Sequence, residues 1–201
     1  HIVIISYNCL DYTLQCIDSI NKTSSDFNNI ITVVDNNSSD GSVEVIAKEY
    51  PDIKIISNEN NLGYAAAINK GAYSQEADFL ILSNADVIYH NNSIKLLIEF
   101  LSDNKHAGAA GPQQLFPDGS WQRSNGDLPG TKLGIKNVLF ISSMQKILEQ
   151  FFWKTFSPEN PKETEYLDGA VLAVSKENFD RISGFDEDYF FYTEEADFCY
   201  K

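Results

Sequence analysis

Two aspartates stand at the ends of apolar runs, and a third group of acids follows a run of aromatics. Phe79-Leu80-Ile81-Leu82-Ser83-Asn84-Ala85 leads to Asp86, and Ile30-Ile31-Thr32-Val33-Val34 leads to Asp35. A carboxylate lifted to the edge of a buried strand is costly unless water, a hydrogen-bond donor or a cation meets it. In open α/β sheets, ligands bind outside the carboxyl ends of the strands. Asp86, one small residue beyond its strand, suits a hard divalent ion with oxygen ligands; its other reading is a cap for the helix near Ser93. Asp35 is followed by Asn36-Asn37-Ser38-Ser39-Asp40-Gly41. It either accepts hydrogen bonds from a ribose or base, or belongs to a polar loop whose Asp40 caps the next helix.

The third group is Glu194, Glu195 and Asp197, after Tyr189-Phe190-Phe191-Tyr192. Acids are favoured in a helix's first turn by its dipole, which accounts for one of them better than for three. A carboxylate beside an apolar wall has a raised pKa and can act as a general base. Between the two strand ends, Asn61-Leu62-Gly63-Tyr64-Ala65-Ala66-Ala67-Ile68-Asn69 puts one glycine before a small-residue helix. The G-x-G-x-x-G spacing is absent, so this is no dinucleotide fingerprint. The small residues permit close packing on a neighbour or a flat ligand, and Asn69 reads as a surface or capping residue.

The elements that must position these groups alternate. Strands are expected at 2–6, 30–34, 53–56 and 79–82, and helices at 9–21, 42–50 and 63–73. Such alternation argues for an α/β protein with a mostly parallel sheet, covered on both faces. A helix is expected at 93–101, then a hairpin around Pro117-Asp118-Gly119, an amphipathic helix over 133–156, a strand at 170–174 and a helix from 194. With 201 residues and no internal repeat, one domain is expected, with 1–110 and 111–201 as its two halves.

A net charge of −14 disfavours tracking of nucleic-acid phosphates. It also means that a phosphorylated ligand needs local screening by a cation or by backbone N–H groups. Cys9, Cys16 and Cys199 lack metal-site or disulfide-framework spacing and fit a reducing cytosol. No apolar run is long enough to span a bilayer. A chain opening on His1 instead of Met reads as a domain boundary.

Taken together, these segments resemble the family 2 glycosyltransferases of rhamnosyltransferase-like bacterial type, inverting enzymes with the GT-A fold. Ile2-Val3-Ile4-Ile5-Ser6-Tyr7-Asn8 looks like the family's opening strand. Val33-Val34-Asp35-Asn36-Asn37-Ser38-Ser39-Asp40-Gly41 resembles its second motif, and the stretch from Asn61 to Asn69 its next nucleotide-proximal segment. Asn84-Ala85-Asp86 stands where the family carries a D-x-D-type motif, with Asn84 in place of the first aspartate. Tyr166-Leu167-Asp168-Gly169-Ala170 and Gly184-Phe185-Asp186-Glu187 resemble acceptor-side segments, and Thr193-Glu194-Glu195-Ala196-Asp197 the catalytic acid pair.

The resemblance implies sugar transfer from a nucleotide-diphospho-sugar, UDP- or dTDP-linked, to a saccharide or lipid-linked acceptor. It implies donor contacts from Ser6, Asn8, Asp35, Asn37, Gly63, Asn69, Asn84 and Asp86, with Asp86 holding Mg2+ or Mn2+. It implies acceptor contacts from Asp168, Gly169, Trp121 and Asp197. The base is Glu195, where the family more often has aspartate, and Glu194 is the alternative. The family's pattern continues past this motif, often with a histidine for the metal–diphosphate; His90 and His106 do not stand there. A cytoplasmic protein is expected. Contact with the inner face of the membrane is open, through the apolar stripe Phe140, Met144, Ile147, Leu148, Phe151 and Phe152. Rival readings are a nucleotidyltransferase and a non-catalytic nucleotide-sugar-binding domain. The former is disfavoured because Ser6-Tyr7-Asn8-Cys9-Leu10-Asp11 has no glycine and no basic residue to grip a triphosphate.

Overall fold

Side chains alternate across the strands, and both sets are buried. In β1 (Ile2–Ser6), Ile2 and Ile4 join one core and Val3 the other; in β4 (Phe79–Asn84), Ile81 opposes Leu80 and Leu82 in the same way. A sheet apolar on both faces needs helices on both. That is the arrangement in the computed structural model, which describes residues 1–23, 28–90, 92–126, 128 and 161–201. The helix expected over 133–156 lies outside the described residues.

The remaining elements are α1 (Leu10–Thr23), β2 (Ile31–Asp35), α2 (Ser42–Glu49), β3 (Lys54–Ser57), α3 (Tyr64–Ala72) and α4 (Ser93–Asp103). Then come the short strands β5 (Gln114–Leu115), β6 (Trp121–Gln122), β7 (Asn125–Gly126) and β8 (Tyr166–Leu167). The described chain closes with β9 (Val171–Ser175), α5 (Lys176–Arg181) and α6 (Glu194–Tyr200). The main sheet has the order β3-β2-β1-β4-β9. The first four strands are parallel, as the alternation predicted, whereas β9 runs antiparallel to β4. The β5–β6 hairpin forms at Pro117-Asp118-Gly119, where Gly119 takes φ +78°.

Helices α1 and α4 cover one face with Cys16, Ile17, Ile20, Ile94, Leu97 and Leu101. On the other face, Ala65, Ala67 and Ile68 of α3 meet Val3, Val34, Leu80 and Leu82. The small residues of α3 serve contact with the sheet itself. A methyl group at Gly71 would lie 2.3 Å from Val3 Cγ1 and 2.8 Å from Val34 Cγ2. Beside α3, Phe185 stacks on Phe198 of α6 with centroids 4.4 Å apart and meets Tyr64 edge-on at 5.9 Å. This aromatic packing seats the 184–193 segment and the start of α6 against α3. No helix among the described residues is long and apolar enough to cross a membrane.

Candidate active site at the carboxyl edge of the sheet

The strand register brings the carboxyl ends of four strands into one row. Ser57 pairs with Asp35, Asp35 with Ser6, and Asn84 with Ile5 just behind Ser6. Because β9 is antiparallel, its beginning reaches the same edge, and Asn84 N donates to Ala170 O at 3.0 Å. Asp168 and Gly169 therefore stand beside Asn84-Ala85-Asp86. Asp35 and the end of β4 are two strands apart, about 10 Å.

Asp35 is almost fully buried, at 3% exposure. Its Oδ2 accepts from Ser38 N at 2.9 Å, and its Oδ1, also buried, has no hydrogen-bond partner. A buried carboxylate oxygen without a donor is costly, and at a ligand-binding edge it is suited to an N–H or O–H of a ligand. The rim around it is stitched together by side chains. Asn8 N donates to Ser38 Oγ at 2.9 Å, and Asn8 Oδ1 accepts from Ser39 N at 2.8 Å. Asn8 and the exposed Asn37 take φ +51° and +70°, the left-handed region that asparagine tolerates best among side-chain-bearing residues. Asp40 accepts from Ser42 N at 3.1 Å and, through Oδ2, from Leu10 N at 3.0 Å. It thus caps α1 from the neighbouring loop as well as bonding the start of α2.

Two expected donor contacts prove to be interior. Ser6 is fully buried, with its hydroxyl 2.9 Å from Thr13 Oγ1 of α1. Asn69 is buried in α3: its Nδ2 donates to Phe185 O and Glu187 Oε1, and its Oδ1 accepts from Phe185 N, each at 2.9 Å. It is neither a surface residue nor a cap, and all its polar atoms hold the 185–187 turn against α3. Gly63 is also structural in detail. Its φ of +80° and ψ of 178° are accessible essentially to glycine alone, and a Cβ there would lie 2.3 Å from Phe190 O.

The acid pair opens α6. Tyr192 and Thr193, just before it, have φ +69° and +71°. Consecutive left-handed residues, one of them β-branched, are the kind of backbone strain that collects at functional sites. Glu194 turns inward: it is 5% exposed, and its buried Oε2 has no hydrogen-bond partner. Burial raises its pKa above the ordinary glutamate value, and the charge of Glu195 adds to the rise. Glu195 is half-buried and faces the strand edge, where a Cβ on Gly169 would meet Glu195 Cβ at 3.7 Å. Tyr64 joins the two sides, with its hydroxyl donating to Gly169 O at 2.9 Å. Burial raises the Tyr64 pKa, and the charges of Glu194, Glu195 and Asp168 raise it further.

Asp168 is held in place, its N–H donating to Ser124 O at 2.9 Å and its Oδ1 accepting from Ala170 N at 3.2 Å. Trp121 lies in β6, three residues before Ser124. Asp197 pairs with Lys201 Nζ at 2.8 Å.

Among the described residues, no three His, Cys, Asp or Glu side chains gather as a metal cage. The exposed Asp86 carboxylate and the Asn84 amide oxygen are nevertheless hard donors on the row just described. Mg2+ and Mn2+ sites commonly take one or two protein oxygens and complete their shell with substrate phosphates and water. The donor set fits such an ion. The sequence reading missed Asn36 and Asn58, both buried, as well as Tyr64 and Phe190. Asn36 and Asn58 stood in polar runs after strands, Tyr64 at the head of the small-residue helix and Phe190 in the aromatic run before the acids.

Known proteins bear on this site. "N-acetylglucosaminyl-diphospho-decaprenol L-rhamnosyltransferase" of Mycobacterium tuberculosis is 30% identical over 192 residues, covering 83% of this chain. The match spans 58% of that relative's length. The crystal structure of GalNAc-T7 with UDP, GalNAc and Mn2+ superposes with TM-score 0.69 at 17% identity, over 99% of this chain and 39% of that one. The mannosyltransferase PcManGT of Pyrobaculum calidifontis, in complex with GDP-Man and Mn2+, gives 0.65 at 16%, over 98% and 49%. At these identities the likeness shows the fold, which is GT-A. The sequence pattern of glycosyl transferase family 2 matches residues 1–160, so the chain belongs to that family.

Proposed function

We propose that the protein transfers a sugar, with inversion, from a UDP- or dTDP-linked nucleotide-diphospho-sugar to a hydroxyl of a saccharide or lipid-linked acceptor. The setting is cell-surface polysaccharide or glycolipid synthesis. The observation that carries this reading is the shared edge, where the unpartnered Asp35 oxygen, the Asn84–Asp86 turn and Glu195 behind Gly169 converge. Residues 1–110 hold the donor, and 111–201 hold the acceptor. The protein is cytoplasmic and works at the membrane's inner face; a relative named for a decaprenol-linked substrate supports the lipid-linked acceptor.

Asp35 Oδ1 accepts a hydrogen bond from the nucleoside, and the Asn8–Ser38–Asp40 rim keeps the loop in place. Asp86, with the Asn84 amide oxygen beside it, would hold the divalent ion, which would supply charge neutralisation for the departing diphosphate. Glu195 accepts the acceptor's hydroxyl proton as the oxygen attacks the anomeric carbon. The bond from that carbon to the diphosphate oxygen breaks on the opposite face, leaving with its electron pair. General-base assistance of this kind contributes about 10²–10⁴-fold. Glu194 is the second reading for the base, favoured by its unpartnered buried oxygen and raised pKa.

The test is thermal unfolding with UDP, GDP or dTDP, each with and without Mn2+, on wild type and Asp86→Ala. One nucleotide stabilises wild type in a metal-dependent way, by about 2.7 kcal/mol at a hundredfold excess over Kd, and the effect is lost in the variant. Absence of any shift, together with absence of donor hydrolysis, sinks the reading. Binding without hydrolysis or transfer favours a non-catalytic domain.

A further inference from the structure

We infer that Asn36 is a positioning residue that acts through Gly63 and Phe190 to set where Glu194 and Glu195 stand. This rests on the reading of those acids as the groups that take the acceptor proton. Asn36 follows Asp35, yet its side chain faces the interior, at 3% exposure. Its N–H donates to Ser6 O at 2.8 Å, its Nδ2 donates to Gly63 O at 3.1 Å, and its Oδ1 accepts from Asn58 Nδ2 at 2.9 Å. Asn58 is fixed in turn, its N–H donating to Asp35 O at 2.8 Å and its Oδ1 accepting from Lys70 Nζ at 2.6 Å. The side-chain amide of Asn36 is thus used on both its oxygen and its nitrogen, and it ties the ends of β2 and β3 to the start of α3.

The chain of contacts continues from Gly63 without a gap. Gly63 has no side chain, so Phe190 O can approach and accept from Tyr64 N, the first N–H of α3, at 3.0 Å. Any side chain at 63 would collide with that carbonyl. Four residues beyond Phe190 lies Glu194, reached through the two left-handed residues Tyr192 and Thr193. So short a strained connection has little freedom to absorb a shift at Phe190. The other end of the segment is fixed to α3 independently by Asn69 on Phe185. Asn36 therefore couples the loop that carries Asp35 to the loop that carries the acids. A misplacement of about 1 Å can cost a hundredfold in rate, so a residue remote from the reacting atoms can matter this much.

The experiment uses Asn36→Asp, which keeps the acceptor for Asn58 but removes the donor to Gly63 O. Two quantities are read on the whole protein with Mn2+: hydrolysis across a panel of nucleotide sugars built on the nucleotide that the screen selects, and hydrogen exchange of residues 184–193. The expected result is a fall in kcat of about tenfold or more with KM within about threefold of wild type. Exchange of 184–193 becomes faster. A raised KM with unchanged kcat, or unchanged exchange in 184–193, overturns the inference. Asn58→Ser, one bond further back, gives the same pattern more weakly and serves where Asn36→Asp does not fold. If wild type hydrolyses no nucleotide sugar, the functional reading fails, and the exchange measurement alone decides whether Asn36 holds the segment.

Discussion

The Tyr64 hydroxyl donates to the Gly169 carbonyl at 2.9 Å, joining residues 105 positions apart. Tyr64 opens α3 on one core, and Gly169 precedes β9 at the sheet edge with Glu195 beyond it. The bond therefore fixes the gap between α3 and the strand edge in which the acid pair sits. Tyr64→Phe keeps the ring packing on Phe185 and removes only the donor. It should lower stability by about 1 kcal/mol, read as a fall in urea midpoint with unchanged slope. It should also lower kcat for donor hydrolysis more than it changes KM.

Glu194 and Glu195 differ in environment, and pH separates them. Burial raises the folded pKa of Glu194 above its ordinary value of 4.5, so folding favours the neutral form. Its stability contribution is whole below the ordinary value and is lost as pH rises through the raised one. Glu194→Gln should therefore gain stability over wild type at pH 7 and lose that gain near pH 4, measured by urea unfolding at both. Glu195→Gln should abolish the general-base contribution, a loss of about 10²–10⁴ in transfer rate. If Glu194→Gln is the variant that loses the rate, the base assignment passes to Glu194.

The sheet was legible because each parallel strand is apolar on both faces, as in Ile2-Val3-Ile4 and Leu80-Ile81-Leu82. The reversal of β9 was not, because Ala170 to Val174 reads the same in either direction. Asp35, Asp86 and the acid group were legible as carboxylates at element ends. The inward turn of Glu194 was not, since the phase of α6 is set by the left-handed pair before it. Asn69 was misread for a related reason: its partner Phe185 is 116 residues away, and a local pattern cannot register such a bond.

Gly71 tests the packing that holds α3 to the sheet. A methyl group there would lie 2.3 Å from Val3 Cγ1 and 2.8 Å from Val34 Cγ2, both buried strand residues with no room to yield. Alanine ordinarily favours a helix by close to 1 kcal/mol over glycine, so the two effects oppose each other. Overpacking of a filled core costs about 1–3 kcal/mol and should win. Gly71→Ala is expected to lower the unfolding midpoint, and a gain in stability would show that α3 can move off the sheet.

Asp40 tests the stitching of the two loops around Asp35. Burial raises its pKa slightly, but hydrogen bonds from the Ser42 hydroxyl and from the N–H groups of Leu10 and Ser42 prevail and hold it below the ordinary 3.8. A depressed pKa gives stability that is present above the ordinary value and lost as pH falls through the folded one. Asp40→Ala removes the cap on Leu10 N and should cost about 1 kcal/mol at pH 7. The difference from wild type should shrink as the pH is taken below 3.8. Asp40→Asn keeps an oxygen acceptor without the charge. It should recover part of the loss at pH 7, and since neither variant titrates at 40, both differences from wild type should shrink alike as the pH falls below 3.8; Asn against Ala then reads the hydrogen bond, and Asn against wild type the charge at the start of α1.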